Sequence, residues 1–172
     1  KKISLGISIF SPWKWNRIGT WVILLLILLI LWEFSRYLHQ YYVHMNKEYP
    51  FSSQYGIKEL VYYVNDNYDK YTKFLITDKY DQPYIFFLFY AKYPPEKFQA
   101  NHVLTTRDKF GFSTVRDFDK VHFEEIKNWD TAIADNKGST IIGTGQEIPD
   151  GSNVVYKIYF PNGETAFRVV VN

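Results

Sequence analysis

The chain has 172 residues, enough for one ordinary domain and an appendage, and its 20 Lys and Arg against 18 Asp and Glu give a net charge of +2. Six basic residues and one acidic residue lie up to Lys47, whereas 14 basic and 17 acidic residues follow it, so the two parts carry +5 and −3. Phosphate binding needs clustered basic residues, so the acidic second part argues against a nucleic-acid partner, and the absence of cysteine excludes disulfides and thiolate metal sites.

The apolar run Ile18–Leu31 contains no charged residue and predicts a membrane-spanning helix. Trp32 and Phe34, on either side of Glu33, extend it to about 17 residues, the short end of the length that crosses a bilayer. A buried core helix is the competing interpretation. Against it, the run has no polar face, and aromatic residues flank both of its ends.

The distribution of basic residues predicts an orientation for this helix. Four precede the run and two follow it closely: Lys1, Lys2, Lys14 and Arg17, then Arg36 and Lys47. The start should therefore face the cytoplasm, and the lack of a small-residue cleavage site after the run favours an anchor over a signal peptide. We predict a cytoplasmic or interfacial segment at 1–17, a transmembrane helix with its interfacial extension at 18–45, and an extracytoplasmic soluble α/β domain at 46–172. The cell (plasma or inner) membrane is the expected location.

The N-terminal segment Ile3–Phe10 is expected to be a loop or the tail of an earlier element, as in the C-terminal fragment of a larger protein. The folded domain should begin near Ser52, and Ser53 is predicted to cap a helix from Gln54 to about Asn65. Phe74–Thr77 predicts a buried strand.

A second predicted helix follows this strand after a short loop. Asp81-Gln82-Pro83 is typical of a helix start, and the helix should carry Ile85–Tyr90. Pro94 and Pro95 open a further short helix through Phe98. A strand, a short loop and a helix favour a parallel, doubly wound arrangement, in which ligands usually bind at the carboxyl ends of strands.

The remainder of the chain predicts strands and one short helix. The expected strands are Lys109–Val115, Lys120–Ile126, Ser139–Gly143, Val154–Phe160 and Thr165–Val171. Asn128 should cap a helix through Ala134, and Asn162-Gly163 predicts the turn of a C-terminal hairpin. The fold class is therefore an α/β (or α+β) domain with a mixed sheet and a C-terminal β-hairpin, preceded by one transmembrane helix.

No motif for catalysis or for a cofactor is recognisable. The four histidines, His39, His44, His102 and His122, are not spaced as metal ligands, so we expect no metal and no cofactor. Asp78 and Asp81 flank the loop between the first strand and its helix and are the best-placed carboxylates, although the expected role of Asp81 is to cap the helix, because its spacing to Pro83 suits a cap. Aromatic residues make up 20% of the chain, which suits core packing, contact with the bilayer or a larger protein, or stacking on sugar rings.

Three segments carry a resemblance to a known family: Ser53-Gln54-Tyr55-Gly56-Ile57-Lys58-Glu59-Leu60, Asp81-Gln82-Pro83-Tyr84-Ile85-Phe86-Phe87-Leu88-Phe89-Tyr90 and Tyr93-Pro94-Pro95-Glu96-Lys97-Phe98-Gln99. They resemble the C-terminal region of bacterial multi-spanning membrane glycosyltransferases of the GT-C superfamily, similar to protein O-mannosyltransferases and aminoarabinose transferases of glycosyltransferase family 39. The order of last helix, aromatic linker and α/β domain is also similar.

The resemblance implies a function for the parent protein. Such enzymes transfer a sugar from a polyprenyl-phosphate donor on the extracytoplasmic face, and their catalytic carboxylate is expected in an early loop outside this sequence. The implied partners are the lipid bilayer, the rest of the parent enzyme, and a lipid-linked sugar or glycan acceptor. No catalytic residue is expected in this chain. If any residues contact substrate, the candidates are Gln54, Tyr55, Asp81, Gln82 and Tyr84.

Two alternatives stay open at the level of the sequence. The candidate residues could simply cap helices and pack turns. The chain could also be a single-pass, membrane-anchored binding or scaffolding domain without catalytic activity, whose aromatic surface meets a protein partner or a glycan.

Overall fold

The computed structural model describes residues 17–172, and the chain divides into two compact units, of which the first ends at Val43 and the second comprises His44–Asn172. The predictions made for Ile3–Phe10 and for the basic residues before Arg17 lie outside the described residues.

One continuous helix, Arg17–Glu48 (32 residues), is long and apolar enough to cross a membrane, and it is the one such helix in the described part of the chain. It consists of α1 (Arg17–His39), a π-helical segment (Gln40–His44) and α2 (Met45–Glu48). No residue of α1 is buried, as expected for a helix without a core-facing side. The apolar helix and its extension beyond Tyr37 are confirmed, whereas its orientation stays a prediction.

Four more helices follow in the chain: α3 (Ile57–Asp66), α4 (Tyr84–Tyr90), α5 (Pro95–Asn101) and α6 (Trp129–Asp135). The strands are β1 (Phe74–Ile76), β2 (Val103–Leu104), β3 (Val115–Phe118), β4 (Val121–Phe123), β5 (Thr140–Thr144), β6 (Val154–Tyr159) and β7 (Thr165–Val171).

The strands form one seven-stranded sheet in the order β2-β3-β4-β1-β5-β7-β6. The central strand β1 pairs in parallel with β4 on one side and with β5 on the other. The remaining neighbours are antiparallel. The predicted α/β fold with a mixed sheet and a C-terminal hairpin is confirmed, and the parallel arrangement is confined to the three central strands.

Alternating side chains of β1 divide the core between the two faces of the sheet. Phe74 and Ile76 belong to the larger cluster, together with apolar residues of α3 and with Phe87 of α4. Leu75 points to the other face, into a smaller cluster against which Trp129 and its α6 neighbours pack. The helices α4 and α6 therefore cover opposite faces of the same strand.

Two local predictions near the C-terminus are confirmed. Asn128 caps α6, because its side-chain oxygen accepts a hydrogen bond from the backbone N–H of Thr131 at 3.1 Å. In the β6–β7 hairpin, the N–H of Phe160 donates to the carbonyl of Glu164 at 2.8 Å, and Gly163 takes the positive φ (+88°) that the turn requires.

The predicted start of α3 is wrong. The Ser53 hydroxyl donates to the carbonyl of Pro50 at 3.0 Å instead of capping a helix, and α3 begins only at Ile57. The chain first turns through Gln54 and Gly56, whose φ angles are +54° and +89°. This left-handed turn, which helical spacing alone does not reveal, delays the helix by three residues relative to the prediction.

The predicted strand Lys109–Val115 is also wrong, because β3 begins only at Val115. The residues before it form a tight loop in which Gly111 has a φ of +86°. The Asp108 carboxylate holds this loop by accepting hydrogen bonds from the N–H groups of Phe110 and Phe112 at 2.8 and 2.9 Å. Phe110 and Phe112 alternate with polar residues in the sequence, but both are exposed in this loop. The alternation therefore does not mark the buried face of a strand.

Candidate functional site

The central parallel strands create a crevice at their carboxyl ends. After β1 the chain continues to α4, which packs on the face of the larger cluster, whereas after β4 it continues to α6 on the opposite face. Two adjacent parallel strands whose connections leave toward opposite faces open a gap beyond their carboxyl ends. In α/β sheets this switch point is where ligands usually bind.

A cavity of about 310 Å³ occupies this gap, and we call it the β1–β4 crevice. Its polar lining consists of three carboxylates, one amide and four hydroxyls: Asp78, Asp81, Asp108, Gln82, Thr105, Thr106, Ser113 and Thr114. The ring of Phe112, which is 75% exposed, also borders it. No Lys, Arg or His of the described residues lines the crevice. Its chemistry suits a ligand that donates hydrogen bonds and stacks on an aromatic ring, and it does not suit an anion.

The carboxylate of Asp78 lies at the switch point itself. Partial desolvation, followed by the negative charges of Glu125, Glu147 and Glu124, raises the pKa of Asp78. A carboxylate whose ionised form is disfavoured by its surroundings, in a concave site, is typical of functional positions. Hydrogen-bond donors from a ligand would relieve this unfavourable charge.

The buried carboxylate of Glu147 ties together the three loops that follow β1, β4 and β5. Its Oε1 accepts hydrogen bonds from the Thr77 hydroxyl at 2.8 Å and from the Ile126 N–H at 3.1 Å. Its Oε2 accepts from the N–H and the hydroxyl of Thr144, both at 2.9 Å. Since Glu147 is only 7% exposed, these four donors replace the water that its charge would otherwise bind. The result is a fixed frame beneath the crevice.

A second polar cluster lies on β3 and β4, beside this frame. The Nδ1 of His122 is hydrogen-bonded to Asp117, and its Nε2 lies 3.1 Å from Oε2 of Glu124. Desolvation opposes the ionisation of Asp117, but hydrogen bonds from His122 and Arg116 outweigh it and lower the pKa of this carboxyl. Among residues 17–172, no group of three or more His, Asp or Glu is arranged to hold a metal ion.

The structure brings together only some of the predicted site residues. Asp81 and Gln82 both line the β1–β4 crevice. The capping role that competed for Asp81 is wrong, because no side chain caps α4. Asp81 is exposed and remains available to a ligand.

The other predicted residues lie elsewhere. Gln54 and Tyr55 line a separate cavity of about 440 Å³, which lies between the start of α3 and α4. Tyr62 and Tyr90 also line this cavity. Tyr84 stacks on Phe98, with ring centroids 6.2 Å apart, and so packs α4 against α5.

Sequence reasoning did not find the far wall of the crevice or its frame. The wall comes from the 105–114 loop, whose second half lies in the predicted strand Lys109–Val115, and its signal was the Asp108-Lys109-Phe110-Gly111 turn pattern. Glu147 carried no recognisable signal, because its contact with Thr77 spans 70 residues of sequence.

Comparisons with protein-family models, with curated proteins and with solved structures find no match to this chain.

Proposed function

We propose that this chain is the C-terminal part of an integral membrane glycosyltransferase that transfers a sugar from a polyprenyl-phosphate donor on the extracytoplasmic face of the cell membrane. In this proposal the helix Arg17–Glu48 anchors the chain, and the α/β domain holds carbohydrate in the β1–β4 crevice. The observation that carries the proposal is the lining of that crevice, which combines carboxylates, hydroxyls and one exposed ring. The three resembling segments support the choice of family.

The lining matches a sugar better than it matches the phosphate of a lipid-linked donor. Sugar hydroxyls can donate to the carboxylates of Asp78, Asp81 and Asp108, while the apolar face of the pyranose ring stacks on Phe112. A phosphate would meet three negative charges there and no basic side chain of the described part of the chain. We therefore propose that the domain holds the glycan acceptor or the transferred sugar, and we assign no catalytic residue to this chain.

The proposal is tested by saccharide binding to the whole chain in lipid nanodiscs. Saturation-transfer NMR with neutral monosaccharides and oligosaccharides should show transfer to ring protons. Asp81→Ala should weaken this transfer, because it removes an exposed acceptor from the crevice. The matched control is Glu96→Ala, which removes an exposed carboxylate from α5. If the folded wild-type chain binds no saccharide, or if the two variants behave alike, the assignment of the crevice is wrong.

The membrane part of the proposal is tested separately in the gene. The coding sequence upstream of Lys1 should contain several more hydrophobic segments and an early extracytoplasmic loop with acidic residues. A start codon directly before Lys1 would overturn the transferase. It would leave a single-pass anchored binding or scaffolding domain, which is also the function that the exposed tyrosine-lined cavity beside Gln54 and Tyr55 would suit.

A further inference from the structure

The loop that forms the far wall of the crevice is a rigid structure with an apolar tip. At its base, the N–H of Thr105 donates to the carbonyl of Thr114 at 2.8 Å. Nearer the tip, the N–H of Asp108 donates to the carbonyl of Phe112 at 2.8 Å, and the Asp108 carboxylate accepts from two N–H groups of the tip. Since the backbone is already fixed, the loop can bind a partner with little loss of conformational entropy.

This rigid backbone displays two phenylalanines to solvent. Phe110 and Phe112 are 72% and 75% exposed, although burial of a side chain this large and apolar is favourable. Phe112 borders the crevice, but Phe110 does not, so binding of a small ligand there leaves Phe110 unexplained. A loop braced around a solvent-exposed aromatic residue indicates that an apolar environment outside the domain receives it.

The charge of the tip differs from that of the domain around it. Arg107 and Lys109 flank Asp108, so the loop carries a net positive charge on a part of the chain that is otherwise acidic. The ammonium of Lys109 lies 4.9 Å from the centroid of the Phe110 ring. Aromatic rings next to basic side chains are the combination that settles at the interface of an anionic bilayer.

We propose that the 105–114 loop inserts Phe110 into the interface of the bilayer that the same chain spans, while Phe112 stays at the border of the crevice. This rests on the anchoring part of the proposed function, because a domain that directly follows a spanning helix has a bilayer within reach at high local concentration. The loop contact keeps the β1–β4 crevice at the level of the lipid head groups, where a membrane-borne sugar would be presented.

The test uses the whole chain, which contains no cysteine, so single cysteines can be labelled directly. An environment-sensitive nitrobenzoxadiazole dye is attached at Lys109→Cys, beside the intact phenylalanines, in nanodiscs of phosphatidylcholine and phosphatidylglycerol with or without doxyl-labelled lipid. Lys137→Cys is the matched control, because it is exposed and precedes β5, at the amino ends of the parallel strands and therefore opposite the crevice. Leu25→Cys, within α1, reports the anchor by itself.

The expected result is a blue-shifted emission at position 109 that doxyl lipid quenches by about twofold or more, while position 137 stays water-like. Phe110→Ser, which leaves the crevice lining intact, should abolish the quenching at 109 without changing circular dichroism. Quenching at 25 with equal, water-like signals at 109 and 137 would overturn the loop contact and keep the anchor. Absence of quenching at 25 would overturn both. A blue shift at 109 without doxyl quenching would show that protein covers the loop, which also overturns the proposal.

Discussion

Removal of the Glu147 carboxylate should destabilise the domain more than removal of any exposed acid. Glu147→Ala leaves the N–H groups of Ile126 and Thr144 without acceptors, and these residues are only 6% and 7% exposed. The hydroxyls of Thr77 and Thr144 lose their acceptor as well.

The expected loss follows from the cost of buried donors. A buried hydrogen-bonding group without a partner costs roughly 1–3 kcal/mol. With two backbone N–H groups left without acceptors, the free energy of unfolding should fall by about 3–5 kcal/mol, after water has filled part of the vacated space. Glu147→Gln retains the volume and one carbonyl oxygen, but its amide nitrogen faces a backbone donor. We expect it to lose about 1–2 kcal/mol. The alanine value is a large share of the stability of an ordinary domain.

The measurement is urea unfolding of the whole chain in detergent micelles, followed by far-UV circular dichroism and by the change in tryptophan fluorescence. Of the five tryptophans, Trp129 is the one that follows residue 32, and it packs beside the frame on α6. Glu164→Ala is the control, because this carboxylate lies exposed in the hairpin turn. A Glu147→Ala variant within about 0.5 kcal/mol of the control would refute the frame, since surface substitutions stay within that range.

Three further predictions use the same unfolding assay. Gly56→Ala should lower the free energy of unfolding by about 1–3 kcal/mol, because φ is +89° and the new Cβ would lie 3.2–3.3 Å from two hairpin side chains. Gly111 has a similar φ of +86° but faces open space, so Gly111→Ala should lose only the conformational part, about 1 kcal/mol. Asp78→Asn should stabilise the domain at neutral pH; since the folded-state pKa is raised, this gain should vanish as the pH falls below the ordinary value of 3.8. Asp117→Asn should have the opposite effect, because the folded-state pKa of Asp117 is lowered. The ionised carboxylate stabilises the wild type above pH 3.8, and the wild type loses this stability as the pH falls further. The variant should be less stable than the wild type at neutral pH and should not show this loss. Equal pH profiles for wild type and variant would contradict either charge argument.

Elements defined by local chemistry could be predicted from the sequence. The β6–β7 hairpin depends on an Asn-Gly turn between two β-rich runs, and α6 depends on a cap within its own first turn. The start of α4 follows from Pro83, which fixes the backbone before the first helical turn. In each case the residues that decide the structure are neighbours in sequence.

Elements decided by distant contacts or by unusual backbone angles could not be predicted. Helical spacing in α3 extended correctly to its end but missed the turn before it, because Gln54 adopts a positive φ that only its surroundings enforce. The alternation in Lys109–Val115 is typical of a strand, but the Asp108 carboxylate accepts a hydrogen bond from the N–H of Phe110 and holds the segment in a tight loop. Strand order depends on pairings such as that of β1 with β5, which are remote in sequence.

The candidate site was found in part for the same reason. Asp78 and Asp81 were identified because they flank a short loop between a strand and a helix, which is a local pattern with a general consequence, and Gln82 because it lies beside the predicted helix start. Gln54 and Tyr55 line a separate cavity and not the crevice. They were selected from a resemblance between short segments, which contains no information on the distance between those segments in space.

The charge of the frame also predicts how a ligand of the crevice should respond to pH. Glu147 accepts four hydrogen bonds and pairs with no cation among residues 17–172, so its negative charge adds to the field that raises the pKa of Asp78. Hydroxyls that donate to Asp78 stabilise its ionised form, so a sugar should bind more tightly as the pH rises through the pKa of Asp78. A phosphate would be repelled by the same charge and should bind more weakly over that interval. The sign of the pH dependence, measured by saturation transfer with wild type and with Asp78→Asn, therefore separates a carbohydrate site from an anion site, and a dependence unchanged in the variant would exclude Asp78 from binding.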